Sequence, residues 1–230
     1  MNVLDVQAET TEKANTFAGV SVQQKRRQKR GYLFAKRLFD IVLSLIGLAI
    51  GIVPMLFISL AIVLESPGPA IYLHHRVGKN GKPLALFKFR SMFADADEMV
   101  EDFTPEQKEE WERNFKLEDD PRITKVGKFL RRTSLDELPQ LVNVLIGGLS
   151  IVGPRPVVQK ELEKYGDKQD VFLSVTPGLT GYWQAYARSS CSYEKRMEME
   201  LHYVENASFW WDVKIFFATF GAVIRGDGAR

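Results

Sequence analysis

The sequence predicts an α+β fold: a helix-rich, membrane-associated domain with a re-entrant helix-break-helix near its N-terminus, a small β-hairpin and amphipathic interfacial helices. The first observation is an uncharged apolar run from Ile41 to Leu64. The second is a pair of short apolar stretches on either side of Asn80-Gly81, which is a strong local signal for a hairpin. The third is a series of capped segments downstream that combine apolar and charged residues. With 230 residues, the chain is long enough for one domain of ordinary size and a tail.

The N-terminal segment, residues 1–30, is predicted to be a disordered basic tail because it is polar and has no apolar periodicity. Basic residues crowd its end and continue up to the apolar run: Lys25, Arg26, Arg27, Lys29, Arg30, Lys36 and Arg37. Next to an apolar segment, such a group is expected to contact anionic lipid head groups. The formal net charge is only +2, and basic residues beyond position 37 are interspersed with acidic ones, so nucleic acid is not an expected partner.

The apolar run would extend about 36 Å as a straight helix, which is enough to cross a hydrocarbon core of about 30 Å. Pro54 lies near its middle and is predicted to bend or break the helix. Basic residues flank the run on both sides, which favours a hairpin that enters and leaves through the cytoplasmic face. We therefore predict a re-entrant membrane hairpin over residues 31–66 and a cytoplasmic domain over residues 67–230. A kinked single-pass helix is the alternative.

The hairpin that follows is predicted to join Ala70–Val77 to Pro83–Arg90. On its second strand, Lys88 and Arg90 fall on one face because alternate residues of a strand point the same way. Two cations so placed could line a phosphate pocket, or they could belong to a solvated strand face. Further helices are predicted to open at Thr104-Pro105, to run from Thr124 to Arg132, to run from about Asp136 to Gly147-Gly148, to cover Tyr193 to Glu205, and to carry the C-terminal aromatic residues.

Aromatic residues in the acidic segment from Met92 to Leu117 have two interpretations. Phe103, Trp111 and Phe115 are expected to pack in the core, and contact with the membrane interface is the alternative. The C-terminal aromatic residues, which begin at Phe209, allow the same two interpretations.

An acidic pair, Asp136-Glu137, lies between two sources of guanidinium charge, Arg131-Arg132 and Arg155. Such a pair suits phosphate chemistry, because one carboxylate can attack phosphorus while the other holds a divalent metal, and arginines can neutralise phosphoryl oxygens. Mg²⁺ fits best, since it takes one or two protein carboxylates and completes its shell with water and phosphate. The alternative is structural, because Ser134 and Glu137 have the spacing of a helix capping box.

Two later segments could complete a binding site for a phosphorylated substrate. In Gly153-Pro154-Arg155-Pro156 the prolines restrict the backbone around one arginine, which lowers the entropic cost of holding its guanidinium in place. The segment from Pro177 to Arg188 combines glycines, aromatic residues and Arg188, a composition able to stack a base and contact a phosphate.

These segments together resemble the bacterial sugar transferases, the monotopic polyprenyl-phosphate phosphoglycosyl transferases. The resemblance covers roughly Lys36 to Gly228. It rests on Lys36-Arg37-Leu38-Phe39-Asp40, Phe87-Lys88-Phe89-Arg90-Ser91-Met92, Asp120-Pro121-Arg122-Ile123-Thr124, Ser134-Leu135-Asp136-Glu137-Leu138-Pro139-Gln140-Leu141, Val152-Gly153-Pro154-Arg155-Pro156, Pro177-Gly178-Leu179-Thr180-Gly181 and Tyr203-Val204-Glu205-Asn206. The chain departs from the family pattern at Val53-Pro54, where Ser-Pro is common, and at Ala187-Arg188, where Gly-Arg often stands.

The resemblance implies an enzyme that moves a hexose 1-phosphate from a UDP-sugar onto polyprenyl phosphate and releases UMP. Asp136 would be the nucleophile and would form an aspartyl phosphosugar, and Glu137 would hold Mg²⁺. Arg131 would bind the phosphate of the lipid acceptor, and Lys88, Arg90 and Arg155 would bind the donor. It also implies a bend at Pro54 and a place in the bacterial cytoplasmic (inner) membrane, with membrane lipids as partners and the catalytic domain on the cytoplasmic face.

Two other functional classes remain open from the sequence. A non-enzymatic membrane scaffold would use the apolar run as an anchor and Ser134–Glu137 as a cap, whereas a lipid phosphatase would use water as its acceptor. Galactose or glucose 1-phosphate is the expected cargo, but neither the sugar nor the polysaccharide pathway follows from the residues. Homo-oligomerisation is also left open.

Overall fold

The computed structural model describes residues 3–114, 117, 119–187 and 191–224, and within these ranges it leaves the side chains of residues 3–29, 111–114 and 223–224 undescribed. The chain divides into two compact units, Met1–Phe39 and Asp40–Arg230. Among the described residues, the second unit combines helices with two small sheets, each of two strands. The predicted α+β class is therefore confirmed.

The first helix, α1, runs from Val3 to Glu65 with Pro54 inside it. The predicted break at Pro54 is absent, because the backbone stays helical across this residue. The re-entrant membrane association predicted for residues 31–66 stays a prediction. A proline removes one backbone hydrogen bond and crowds one carbonyl, but the bonds on either side of it continue the helix here. α1 also covers the segment after Met1-Asn2 that was predicted to be disordered. No proline precedes Pro54, so no missing backbone N–H interrupts the helix before it.

Within the second unit, one side of α1 packs against the rest of the domain. Ile62 is buried in a cluster with Phe89 and Leu130, and Met55 and Ile58 pack against the same cluster. The remaining surface of α1 is apolar and exposed at Leu45, Ile46, Ile50, Ile52, Val53, Leu56, Phe57, Leu60, Val63 and Leu64. The stretch Arg30–Glu65 is long and apolar enough to cross a membrane. An exposed apolar surface of this extent indicates contact with lipid or with another protein.

The predicted hairpin is confirmed. β1 (Ile71–Val77) and β2 (Pro83–Phe89) pair antiparallel from Ile71 opposite Phe89 to Val77 opposite Pro83. The turn contains Asn80 at φ 56° and Gly81 at φ 75°. Both values lie in the left-handed region that glycine and asparagine tolerate best, which explains why Asn-Gly stands here.

The remaining helices are α2 (Pro105–Asn114), α3 (Lys125–Thr133), α4 (Gln140–Ile146), α5 (Gln159–Glu163), α6 (Gln169–Leu173), α7 (Tyr182–Tyr186), α8 (Tyr193–Asn206) and α9 (Phe209–Ile224). Short 3₁₀ turns lie at Lys79–Gly81, Glu98–Val100, Leu135–Glu137 and Gly166–Lys168. The local signals located most of these elements. Thr104 and Gln107 cap α2 reciprocally, Thr124 caps α3, and Gly147 ends α4 at φ 90°.

Of the aromatic anchors in the acidic segment, Phe103 is buried. Its ring is covered by the guanidinium of Arg122 at 5.1 Å from the ring centre, and Arg122 also forms a buried ion pair with Asp120 at 2.7 Å. Core packing is therefore confirmed for Phe103. The side chains of Trp111 and Phe115 lie outside the described residues.

A second sheet was not predicted. β3 (Ser150–Val152) pairs in parallel with β4 (Gly178–Thr180). The glycine-rich segment that we interpreted as a base-stacking loop thus begins as a strand. A Cβ atom placed on Gly178 would lie 2.1 Å from the backbone nitrogen of Gly153, so glycine allows the two backbones to approach here.

Candidate active site

The acidic pair lies in the 3₁₀ turn Leu135–Glu137, between α3 and α4. Ser134 precedes it in the left-handed conformation, at φ 58°, and its side chain makes no capping hydrogen bond to this turn. The capping-box alternative is therefore wrong. The sharp turn after α3 presents Asp136 and Glu137 together instead of extending a regular helix through them.

Lys88 on β2 joins the two carboxylates. Its Nζ lies 2.7 Å from Oε1 of Glu137 and 3.5 Å from Oδ2 of Asp136. The Asp136 side chain is 13% exposed and that of Glu137 is 32% exposed. The sequence placed Lys88 at a phosphate pocket, and the structure places its ammonium on the acidic pair itself.

The surroundings shift the two carboxyl groups in opposite directions. Burial raises the pKa of Asp136, and the neighbouring Glu137 charge adds to this effect, while Lys88 and Arg131 act against it. For Glu137, burial would raise the pKa, but the charge and hydrogen bond of Lys88, the charge of Arg155 and the hydrogen bond of Gln140 together outweigh it and the pKa is lowered. Glu137 is thus held as a carboxylate, whereas Asp136 is the more basic of the pair.

Arg131 and Arg155 approach the pair from different elements. Arg131 lies in the last turn of α3, and its Nε donates to Oγ of Ser91 at 2.9 Å. Arg155 follows β3, and its backbone N–H is held by the buried carboxylate of Glu200 at 3.1 and 3.2 Å. The bond of Arg131 uses only Nε of its guanidinium, and the bonds of Arg155 use only its backbone N–H.

Arg90 does not accompany Lys88. Arg90 follows the last residue of β2, Phe89, and its backbone N–H still donates to the carbonyl of Ala70 at 2.8 Å. Its guanidinium donates to the backbone carbonyls of Ser66 and Pro67 instead. These bonds hold the guanidinium beside the segment that follows α1, and the donor-binding role of Arg90 stays a prediction.

An open cleft adjoins the acidic pair. It is lined by His74, Arg76, Leu86, Lys88, Glu137, Gln140, Arg155, Pro156, Gly178, Leu179 and Gln184. Of the predicted site residues, Lys88, Glu137 and Arg155 line the cleft. Asp136 lies behind this lining and forms an ion pair with Lys88. Arg188 lies outside the described residues.

Sequence reasoning missed four polar residues of this cleft: His74, Arg76, Gln140 and Gln184. His74 and Arg76 occupy alternate positions of β1, and His74 pairs with Leu86 on β2, so hairpin alternation could have found them. Burial, with the charges of Arg76, Lys88 and Arg155, lowers the pKa of His74 to about 4. At neutral pH it is therefore an uncharged imidazole in a cationic cleft.

The acidic pair could hold a magnesium ion only together with substrate phosphate and water. Among the described residues, no group of three or more His, Cys, Asp or Glu side chains could hold a metal. Mg²⁺ does not need such a cage, because it is commonly held by one or two carboxylates together with substrate phosphates and water. Glu137, with one oxygen on Lys88 and its side chain partly exposed to the cleft, suits that mode.

A carboxylate pair bridged by a lysine, in a cationic cleft beside a strongly apolar helix, defines a site suited to phosphate chemistry near a membrane. The model of the bacterial sugar transferase family matches residues 31–226. The chain belongs to this family, as its motifs suggested.

Comparison with curated proteins gives relatives of known name. The chain is 46% identical over 209 residues to the undecaprenyl-phosphate galactose phosphotransferase of Salmonella typhimurium, covering 90% of this chain and 44% of that protein. It is 42% identical over 193 residues to the UDP-glucose:undecaprenyl-phosphate glucose-1-phosphate transferase of Escherichia coli, covering 80% and 39%. It is 43% identical over 199 residues to the exopolysaccharide production protein ExoY of Sinorhizobium fredii, covering 85% and 88%.

The relatives differ in length relative to this chain. It spans less than half of the galactose phosphotransferase and of the UDP-galactose-lipid carrier transferase of Erwinia amylovora. In contrast, it spans most of the ExoY protein. The matched region includes the acidic pair, the cleft and the apolar part of α1.

Proposed function

We propose that this protein transfers a hexose 1-phosphate from a UDP-sugar to polyprenyl (undecaprenyl) phosphate and releases UMP. The reaction would be the first membrane step of exopolysaccharide, capsule or O-antigen synthesis. The observation that carries the proposal is the Asp136-Glu137 pair, bridged by Lys88 at the edge of a cationic cleft. The names of the relatives support the substrate classes, since two of them specify undecaprenyl phosphate and a galactose or glucose phosphate.

The first half of the proposed reaction uses Asp136 as nucleophile. A carboxylate oxygen of Asp136 attacks the β-phosphorus of the UDP-sugar and forms a new P–O bond. The bond from that phosphorus to the oxygen bridging the two phosphates breaks, and UMP leaves with the electron pair. Arg155, Arg76 and Lys88 supply positive charge along the cleft, where it offsets the charge that develops on the phosphate oxygens.

The second half regenerates the enzyme. A phosphate oxygen of the polyprenyl phosphate attacks the same phosphorus, and the P–O bond to Asp136 breaks to restore the carboxylate. Arg131, in the turn before the acidic pair, would hold the phosphate of the acceptor. Each half-reaction is one displacement that inverts the configuration at phosphorus. The result is a ping-pong sequence with a covalent intermediate.

Glu137 would hold Mg²⁺, together with oxygens of the donor diphosphate. The ion would supply charge stabilisation for the leaving UMP. Lys88 holds Glu137 in its ionised form, so the ligand is ready to bind a cation at neutral pH.

We propose that the protein acts on the cytoplasmic face of the bacterial inner membrane, with membrane lipids around α1. The exposed apolar side of α1 would lie among lipid chains, and Asp40 and Glu65, at the two ends of the uncharged run, both bond to the same domain. These bonds favour an arrangement in which the run does not carry one end away to the far side of the membrane. This is a monotopic mode of association, in which the apolar run stays on one face of the membrane.

The test is intact-protein mass spectrometry after incubation with Mg²⁺ and a panel of UDP-sugars, without lipid acceptor. We expect the wild type to gain the mass of a hexose phosphate from one donor, and Asp136→Asn to gain none because an amide is a poor nucleophile. The donor that gives the adduct would also identify the sugar. An unmodified, folded wild type that still makes lipid product would exclude the covalent step, and absence of both adduct and product would exclude the proposed reaction.

A further inference from the structure

Two acidic residues mark the ends of the uncharged run in α1, and both turn towards the domain. Asp40 precedes the run and is 4% exposed. Its Oδ1 accepts hydrogen bonds from Oγ of Ser150 at 3.0 Å and from the backbone N–H of Ile151 at 2.8 Å. A carboxylate this deeply buried is costly unless it is bonded, so the contact with β3 fixes how α1 lies on that strand.

Glu65 ends the run and binds the beginning of α3. Its Oε1 accepts from the backbone N–H of Lys125 at 2.7 Å and its Oε2 from that of Val126 at 2.9 Å. These amides belong to the first turn of α3, where backbone N–H groups have no partner inside the helix. Thr124 caps Gly127 in the same turn at 2.9 Å, so the last residue of α1 completes the cap of another helix.

Each of the two elements held in this way leads directly to a site residue. β3 continues into Gly153-Pro154-Arg155, which brings Arg155 to the cleft. α3 ends at Thr133 after Arg131, and the turn with Asp136 and Glu137 follows. We call β3 with Arg155, and α3 with the turn that follows it, the two arms of the site. The two ends of the apolar run are therefore bonded to these arms, one through Asp40 and the other through Glu65.

We propose that Asp40 and Glu65 are positioning residues that hold the acidic pair and Arg155 at a fixed place relative to the membrane segment of α1. The inference rests on the proposed function and deepens it. The two halves of the reaction differ in how far they depend on the position of the site relative to the membrane. A water-soluble donor can enter the cleft from solvent, whereas the phosphate of a membrane-embedded acceptor lies at a depth that the protein must match.

The experiment compares the two half-reactions of the full-length protein in lipid vesicles, in Asp40→Ala and Glu65→Ala. UMP release from the UDP-sugar without acceptor reports the first half, and consumption of the preformed adduct by polyprenyl phosphate reports the second. We expect the first rate to stay within about threefold and the second to fall about 10- to 100-fold, because a misplacement of about 1 Å can have an effect of that size. Asp40→Asn keeps one oxygen for both bonds of Asp40, and we expect it to recover most of the loss. Glu65→Gln keeps an acceptor for only one of the two amides, and we expect it to recover part of the loss.

The matched control is Asp119→Ala. Asp119 pairs with Lys128 of α3 at 2.8 Å, but its side chain is 87% exposed and the pair does not involve α1. We expect both half-reactions to remain within twofold in this variant, since exposed ion pairs contribute little. A loss of transfer in Asp119→Ala equal to that in Glu65→Ala would overturn the special role of the link to α1.

Amide hydrogen exchange tests the positioning bonds without relying on activity. In the vesicle-bound protein, we expect exchange of Ile151 to rise about tenfold or more in Asp40→Ala, and that of Lys125 and Val126 to rise likewise in Glu65→Ala. Unchanged exchange, or an equal fall in both half-reactions, would overturn the proposal. If the wild type forms no adduct, the proposed covalent function fails, and the exchange result alone decides whether these residues hold the two arms.

Discussion

Asp136 and Glu137 are chemically similar neighbours whose surroundings give them different properties. Lys88 lies close to Glu137 and farther from Asp136, so the pKa of Glu137 is lowered while burial raises that of Asp136. A metal ligand must be ionised, whereas a nucleophile gains from basicity. The environment therefore favours the division of roles proposed here, with Glu137 as ligand and Asp136 as nucleophile.

Lys88→Met should move the acid limb of the pH–rate profile to higher pH. The ammonium of Lys88 lowers the pKa of both carboxyl groups, so without it both would hold their protons at a higher pH and fewer molecules would have the reactive pair ionised. The rate of UMP release at neutral pH should also fall by at least about tenfold, because a cation of the cleft is lost. The profile is measured as the initial rate of UMP release between pH 5 and 9.

Lys82→Met is the control for this prediction, because Lys82 lies exposed in the turn of the same hairpin. Its profile should overlay that of the wild type. If the acid limb of Lys88→Met coincided with the wild-type limb, Lys88 would not control the ionisation of the pair.

Among the elements, α3 depends on a close approach that only glycine permits. A Cβ atom on Gly127 would lie 1.9 Å from the backbone oxygen of Ser91, and Ser91 also accepts the hydrogen bond of Arg131. The helix that carries Arg131 to the site is thus packed directly on the segment that follows β2.

Gly127→Ala should destabilise the protein even though alanine is the better helix former. The gain in helix propensity is about 1 kcal/mol, whereas overpacking against a rigid neighbour costs about 1–3 kcal/mol, and contact with backbone places this site at the upper end. We expect a net loss of about 1–2 kcal/mol and a slower transfer step, since Arg131 would shift with α3. Thermal unfolding in detergent and single-turnover transfer measure the two effects.

Gly51→Ala provides the comparison within the same protein. A Cβ atom on Gly51 would meet nothing within 4 Å, so only the propensity gain remains and the melting temperature should rise or stay constant. Equal effects of the two substitutions would show that the contact of Gly127 with Ser91 does not limit packing.

The elements that the sequence predicted are those with local signals. Asn80-Gly81 specified the hairpin, Thr104 and Thr124 marked helix starts, and Gly147 marked the end of α4. The pairing of β3 with β4 had no such signal, because each strand has three residues and they lie far apart in sequence. Pro54 misled the prediction because local propensity cannot measure how strongly a long helix and its packing oppose a break.

The candidate site shows the same division between local and long-range information. The acidic pair was evident from adjacent residues, whereas the bonds of Arg90 to the carbonyls of Ser66 and Pro67 join residues that lie far apart in sequence. His74 and Arg76 required knowledge of which hairpin face meets the cleft. The bonds of Asp40 and Glu65 span 111 and 61 residues of sequence respectively, so only the folded chain reveals them.

At the scale of the whole molecule, a buried carboxyl group connects the C-terminal helices with the site. Glu200 on α8 is fully buried and accepts the backbone N–H of Arg155. Burial raises its pKa to about 7, against the effects of the Arg155 N–H and the charges of Arg196 and Arg155. Protonation of this group is therefore linked to the stability of the entire second unit.

The stability of Glu200→Gln relative to the wild type should be greater at pH 8 than at pH 5. The folded pKa of about 7 lies above the unfolded value of about 4.3, so between these values the folded state binds the extra proton. The contribution of Glu200 is then fully present below about pH 4 and is lost as the pH rises through 7, by an amount on the order of 3 kcal/mol. Glutamine keeps an acceptor for Arg155 but does not ionise, so it should remove this loss.

The difference in unfolding free energy between Glu200→Gln and the wild type, measured by denaturant titration from pH 5 to pH 8, isolates this group because other titrating residues cancel. A difference that grows in favour of the variant as pH rises would link the ionisation of Glu200 to folding. A constant difference would mean that Glu200 keeps an ordinary pKa in the folded state, with its charge compensated by Arg196 and Arg155. In that case the support of Arg155 would be independent of pH, and any pH dependence of the reaction would have to originate at the acidic pair.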